Sequence, residues 1–287
     1  MTAPDTPFAE QPRRFRSPGD GVELAVFEVR PSAPTRDDGR PPLLLVHGAT
    51  ADHTTWRAVG PMFATSRPVF AMDRRGRGAS GDAAAYAIDR EYEDLAAVAD
   101  GLAGDPGSGA IDIVGHSYGG RCALGASLLT PRIRRVVVYE GAPVPPGMSY
   151  RPEGLVEAVR RALVRGDNEA ALTTFLAGIV GMSEAELDAY RANPVWPARV
   201  AAAHTIRREV EAEASPAASL EALGAVTVPV LLLLGSTSRS PFRIGTDALA
   251  GRLASAHVHV IEGAAHAAHH THAREFVAAV EAFLDAS

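Results

Sequence analysis

Apolar positions along this chain fall into two rhythms. Short apolar-rich runs occupy residues 43–46, 69–72, 110–114, 136–139, 228–234 and 257–261. Runs of this length without clean polar alternation fit parallel strands buried on both faces. Between them the spacing lengthens: Tyr92, Leu95, Ala99 and Leu102 share one helical face, and so do Phe276, Val280, Phe283 and Leu284. An earlier stretch, residues 22–29, alternates in part and reads as a strand. Strands taking turns with amphipathic helices predict an α/β fold, with a mostly parallel central sheet flanked by helices.

One interval breaks this rhythm. From residue 144 to about residue 218 there is no convincing strand, only helical stretches rich in Ala, Leu, Arg and Glu. The cluster Pro143, Pro145, Pro146 and Gly147 marks its start, and Ser215-Pro216 marks its end. The expected organisation is therefore a core of residues 1–143 and 216–287 with a helical cap inserted at residues 144–215.

Composition narrows the partners more than the fold. With 287 residues, 46% of them hydrophobic, the chain can bury a large core. A net charge of -6 and scattered arginines leave no basic stripe for nucleic acid. Cys122 is the single cysteine, so no internal disulfide is possible. Residues 1–18 form a polar leader without a signal-like apolar run, residues 30–42 a Pro- and Gly-rich loop, and no stretch is suited to crossing a bilayer. The expectation is a cytoplasmic protein with a small-molecule substrate, no nucleic-acid partner and no membrane partner.

The chemistry concentrates where the run at residues 111–114 meets Gly115-His116-Ser117-Tyr118-Gly119-Gly120, followed by a helical stretch. Strand, sharp turn and helix make a nucleophile elbow, in which Ser117 is held in a strained conformation and Gly115 and Gly119 leave it room. The first amides of the following helix then face the reacting carbonyl. A chance G-x-S-x-G is the bland alternative, and the strand-to-helix context argues against it. A second backbone donor is expected after the run at residues 43–46, in His47-Gly48-Ala49. The amides of Ala49 and Tyr118 are the expected oxyanion hole, with His47 as a structural histidine.

In its His47-Gly48 pair with Trp56 downstream, in Asp73-Arg74-Arg75-Gly76-Arg77-Gly78, and in the Ser117 elbow, the chain resembles the α/β-hydrolase superfamily from about residue 22 to its end. That resemblance implies a serine, acid, histidine order and places the catalytic histidine in Gly263-Ala264-Ala265-His266. His269, His270 and His272 lie in the start of the last helix by pattern and are read as solvated. No Cys or carboxylate pattern completes a metal site with them, so no metal is expected.

The acid departs from the family's usual pattern. Most members carry an aspartate after the seventh strand, but here the run at residues 228–234 is followed by Gly235-Ser236-Thr237-Ser238-Arg239-Ser240. A hydroxyl cannot stabilise the imidazolium formed when His266 takes the serine proton. Asp247 comes too late, within the next helix, and Asp73 is read as structural. Glu140 directly follows the run at residues 136–139 at the same sheet edge, and certain dehalogenases and a zearalenone-type lactone hydrolase of the superfamily place their acid there. The alternative for Glu140 is a surface residue opening the insertion.

A serine nucleophile points away from the dehalogenases and epoxide hydrolases of this fold, which attack with aspartate. What remains is acyl transfer to water from an ester or lactone, with thioesters and carbon-carbon bonds next to a carbonyl as alternatives, and no cofactor is required. Gly76-Arg77-Gly78-Ala79-Ser80-Gly81 matches a dinucleotide fingerprint, the mark of a nucleotide-binding oxidoreductase, but it does not follow a first strand or open a helix. A non-catalytic receptor on the same fold is the third class. Substrate choice belongs to the cap, where Met148, Tyr150, Leu155, Phe175, Leu176, Met182, Tyr190 and Trp196 offer apolar bulk. Most of these read as cap core; Trp196, in a Pro-Val-Trp stretch similar to one in the lid of that lactone hydrolase, is the expected substrate contact.

Overall fold

The computed structural model describes residues 6–35, 39–105 and 108–286. Expectations made for residues 1–5 of the leader and 36–38 of the following loop lie outside the described residues.

Among the described residues eight strands form one sheet: β1 (Arg13–Arg16), β2 (Glu23–Glu28), β3 (Leu43–Val46), β4 (Val69–Met72), β5 (Ile111–His116), β6 (Ile133–Tyr139), β7 (Val230–Gly235) and β8 (Ala256–Ile261). Their order is β1-β2-β4-β3-β5-β6-β7-β8, with β1 and β2 antiparallel to their neighbours and the other pairings parallel. Unbroken apolar strands serve two cores at once. Leu44 and Val46 of β3 pack on one face with Tyr92, Leu95 and Leu102 of the helix Ile88–Ala103. Leu43 and Leu45 face the other core, which holds Trp56, Phe63, Phe276 and Val280. Adjacent residues on a pleated strand point to opposite faces, so β3 must be apolar throughout.

Two strands differ from the sequence expectation. β1 lies inside the stretch read as a leader; its Arg-Arg-Phe-Arg sequence offers one apolar side chain, and Arg13 is held by Asp105 at 2.6 and 3.0 Å. β8 was expected to be buried on both faces but closes the sheet as an exposed edge, with Val258 and Val260 open to solvent. An edge strand has a backbone partner on one side only and its faces are incompletely covered, which leaves His257, Val258, His259 and Val260 all exposed.

Between β6 and β7 the chain runs through the helices Leu155–Val164, Asn168–Phe175, Glu184–Arg191, Trp196–Ala201 and Ile206–Ala212. They enclose their own apolar cluster, including Val159, Leu172, Phe175, Trp196 and Ile206. Ser183 starts the helix Glu184–Arg191 with a reciprocal capping box to Glu186. These helices are pinned to the rest of the chain by buried charge: Glu209 accepts from Arg74 at 2.5 Å and also from Arg77, while Arg74 forks onto Glu91 at 2.7 and 3.0 Å. No helix among the described residues is long and apolar enough to cross a membrane.

Candidate active site

β5 turns into the helix Tyr118–Ser127 through Ser117, whose φ of 53° and ψ of -123° are costly for a residue with a side chain. The surroundings hold it there. Its amide donates to Tyr139 O at 2.7 Å, and its carbonyl accepts from Gly120 N at 2.9 Å. A Cβ on Gly115 would sit 2.5 Å from Gly119 O, and one on Gly119 would sit 2.4 Å from His47 O. Both positions therefore require glycine, as the elbow reading expects. Thr50 and Glu140 are the other non-glycine residues with positive φ among those described, at 58° and 52°. All three follow strand ends at the carboxyl edge of the sheet, and each costs backbone energy that the surrounding contacts must offset.

Glu140 leaves β6 directly and is buried at 3% exposure. Its Oε2 lies 2.6 Å from His266 Nδ1, and its Oε1 accepts from Gly235 N at 2.8 Å and from Ser238 Oγ at 2.5 Å. The segment after β7, which lacks a carboxylate, thus provides two donors to the carboxylate that comes from β6. Phe242 stacks on the His266 ring with centroids 4.4 Å apart, and Tyr139 Oη accepts from Ala268 N at 3.1 Å while donating to Ala265 O. His116 reaches the same loop, its Nε2 donating to His266 O at 2.8 Å. Burial, with His266 nearby, holds the His116 ring well below its ordinary pKa, so it serves as a neutral donor. His266 is fixed from four sides: Glu140, Phe242, Tyr139 and His116.

Across the cavity, Ala49 opens the turn after β3, and among the described residues neither its amide nor that of Tyr118 donates to another group. His47 is wholly buried, with Nδ1 donating to Gly48 O at 2.8 Å and Nε2 accepting from Arg74 N at 3.0 Å. Burial and the charges of Arg74 and Arg77 keep it neutral, and both ring nitrogens are spent on backbone. Asp73 is similarly committed, accepting from His53 N at 2.7 Å, His53 Nδ1 at 2.9 Å and Ala79 N at 2.8 Å. The stretch Gly76–Gly81 is the turn wrapped around that carboxylate: a Cβ on Gly78 would meet Asp73 Oδ2 at 2.1 Å, which leaves no space for a phosphate.

Ser117 and His266 both line a cavity of about 620 Å³. One wall is apolar, formed by Phe175, Leu176, Ile179, Val180 and Met182 from the segment between β6 and β7. The other is polar, formed by Thr55, Arg57, His116, Arg199, His269 and His270. Two expectations need correction here. Trp196 does not line the cavity; its indole is buried in the cluster of the inserted helices against Tyr190, with ring centroids 5.5 Å apart, and its chain neighbours Asn193 and Val195 face the cavity instead. His269 and His270 are not on a solvated helix start. His269 is 2% exposed, and burial pushes His270 down to about 4, because the short helix Ala268–Thr271 turns them inward onto Thr55. His272 stands at the N-terminal boundary of the final helix Ala273–Leu284 without a side-chain capping bond, its Nδ1 2.9 Å from Thr271 Oγ1. No metal-holding cluster is found among the described residues.

Residues 43–280 match the model of the Alpha/beta hydrolase family, a span that runs from β3 into the last helix. The chain belongs to the alpha/beta hydrolase family. A curated relative, Lipase LipV from Mycobacterium tuberculosis, is 32% identical over 110 residues, a segment that covers 38% of this chain and 38% of the lipase. Among solved structures, an alpha/beta hydrolase from Sphaerobacter thermophilus is similar at a TM-score of 0.77 and 25% identity, over 94% of this chain and 99% of that one. An esterase from Exiguobacterium antarcticum shares the fold at a TM-score of 0.74 and 17% identity, over 96% of this chain and 100% of that one. Within this hydrolase fold, sequence reasoning did not anticipate Ser238 and Gly235 as partners of the acid, nor Tyr139, His116 and Arg199 as parts of the site. Tyr139 and His116 adjoin residues that were singled out; nothing in the sequence around Arg199 marks it.

Proposed function

We propose that this chain is a serine hydrolase that cleaves a carboxylic ester or lactone through an acyl-enzyme. The observation that carries this reading is the 2.6 Å contact between Glu140 Oε2 and His266 Nδ1, on an imidazole that shares a cavity with a strained elbow serine. With Nδ1 donating to the carboxylate, Nε2 is left as the base for the Ser117 proton. Ser117 Oγ attacks the carbonyl, and charge develops on its oxygen toward the Ala49 and Tyr118 amides, the second of which opens a ten-residue helix. His266 then returns the proton to the leaving alkoxide. Water, deprotonated by the same imidazole, releases the acid and restores the serine.

Residues 144–215 serve as the cap in this reading, over a core of residues 1–143 and 216–287. Their apolar wall suits the carbon skeleton of a small to medium substrate. Thioester and carbon-carbon bond cleavage would use the same acyl-enzyme and are separated from ester hydrolysis by substrate panel. The test is fluorophosphonate labelling followed by turnover of p-nitrophenyl esters and lactones. Ser117→Ala should abolish labelling and lower kcat by on the order of 10⁶. A labelled Ser117→Ala protein would remove Ser117 from the mechanism.

A further inference from the structure

Among the described residues, buried arginines are almost all matched by carboxylates. Arg67 meets Asp112 at 3.2 Å, Arg74 meets Glu91 at 2.7 Å, Arg75 meets Asp94 at 2.6 Å, and Arg121 meets Glu213 at 3.3 Å. Arg77 pairs with Glu209. Arg199 is the exception among the described residues: it is 8% exposed and no carboxylate pairs with it. Its Nη2 donates to Thr55 Oγ1 at 3.3 Å, a neutral oxygen. A guanidinium cannot shed its proton, so a buried one without an anion is held at a cost that the rest of the fold must offset.

Its position gives that cost a use. Arg199 is carried by the inserted helix Trp196–Ala201 and lines the same cavity as Ser117 and His266. Thr55, which Arg199 contacts, lines that cavity together with Arg57, His269 and His270. Burial, together with the charges of Arg57 and Arg199, keeps His270 neutral at ordinary pH, and His269 is held neutral as well. The one acidic residue on the described cavity wall, Glu186, keeps its charge but is exposed, is held by Ser183 N and Ser183 Oγ at 2.7 Å each, and makes no ion pair with Arg199. Arg199 therefore presents a positive charge to the cavity with no carboxylate of this chain paired to it among the described residues.

We propose that Arg199 receives a carboxylate borne by the substrate away from the scissile bond, so that the preferred substrates are monoanionic esters or lactones. The inference rests on Ser117 being the acyl-accepting nucleophile. A planar guanidinium fork matches a carboxylate in geometry as well as charge. The apolar wall opposite holds the carbon chain that links the carboxylate to the reacting carbonyl.

The experiment compares matched esters on the full chain. p-Nitrophenyl pentanoate is set against mono-p-nitrophenyl glutarate, and phenyl acetate against 4-carboxyphenyl acetate, so that the carboxylate is placed on either side of the ester. Wild type should favour at least one anionic ester over its neutral partner by about 10-fold in kcat/KM. Arg199→Gln should lower that anionic ester by about 100-fold and leave the neutral ones within about threefold, as expected for a lost charge-assisted pair. Arg199→Lys should recover part of the preference. Glutarate should raise the melting temperature of wild type and not of Arg199→Gln, and Arg199→Gln without ligand should melt no lower than wild type. Neutral esters turned over as well as or better than both anionic ones in wild type would overturn the proposal while leaving the serine hydrolase standing. So would an equal loss on all esters with a lowered melting temperature. Absence of both turnover and fluorophosphonate labelling strikes the hydrolase reading instead, and glutarate stabilisation through Arg199 then judges the anion site alone.

Discussion

The ends of β6 and β7 lie side by side in parallel register, Tyr139 opposite Leu233, yet they bring opposite kinds of group to the same point. β6 ends in Glu140, a carboxylate at positive φ; β7 ends in Gly235 and, three residues on, Ser238, a backbone amide and a hydroxyl. One side carries the charge and the other side carries the donors that hold it. In the proposed mechanism the imidazole of His266 needs a negative charge facing Nδ1, and it is indifferent to which strand delivers it. Glutamate's extra methylene lets the carboxylate reach across from β6, while the β7 loop, freed of its acid, becomes the socket. If Glu140 is the acid as proposed, the difference teaches that such an acid is defined by the space between two strand ends more than by a place in the sequence.

Removing the charge is the strongest way to break this comparison. Glu140→Gln keeps the size and can still occupy the socket, but it no longer stabilises a protonated His266. We expect kcat on a p-nitrophenyl ester to fall by about 10³ to 10⁴. Circular dichroism and thermal melting should show a folded protein, and activity within tenfold of wild type would place the acid elsewhere. A smaller effect is expected from the socket. Ser238→Ala deletes a donor to the carboxylate, an interaction worth about 1.5–3 kcal/mol, so kcat should fall by about 10-fold to 100-fold. Rescue by Ser238→Thr, with no rescue by Ser238→Val, would separate the hydroxyl from side-chain bulk.

Much of the comparison was legible in the chain itself. The apolar runs of β3 and β4 match their strands to the residue, and the elbow around Ser117 stands where strand meets helix, because burial on both faces and a forced tight turn leave strong marks. Glu140 could be singled out by the absence of an acid after β7. The rest depends on contacts that no local pattern encodes. β1 was hidden because an edge strand of Arg-Arg-Phe-Arg needs little apolar surface, and β8 was read as buried although its histidines face outward. Trp196 has the sequence neighbours of a lid residue, but the helix it starts turns its ring into the apolar cluster and leaves Val195 to face the cavity. His269 and Arg199 meet at Thr55 although they lie 70 positions apart in the chain, and neither carries a signature of that meeting in its own segment.

The smallest effect sharpens the comparison from the β7 side. Asp247 is the first carboxylate after β7, and in the usual arrangement of the family an acid from this side would face the histidine. Here it lies in the middle of the helix Ser240–Ala250, exposed, with its carbonyl accepting from Gly251 N at 3.1 Å at the helix end. The seat on His266 Nδ1 is already filled by Glu140 Oε2. Two carboxylates crowded onto one imidazole would repel each other, so a helix that keeps Asp247 on its solvent face is the arrangement compatible with an acid on β6. Asp247→Asn should therefore leave kcat within about twofold of wild type and shift stability by no more than about 0.5 kcal/mol, as for other exposed substitutions. The check is a kcat/KM and melting comparison run beside Glu140→Gln. A collapse of activity at Asp247 with Glu140→Gln still active would reverse the roles of the two strand ends.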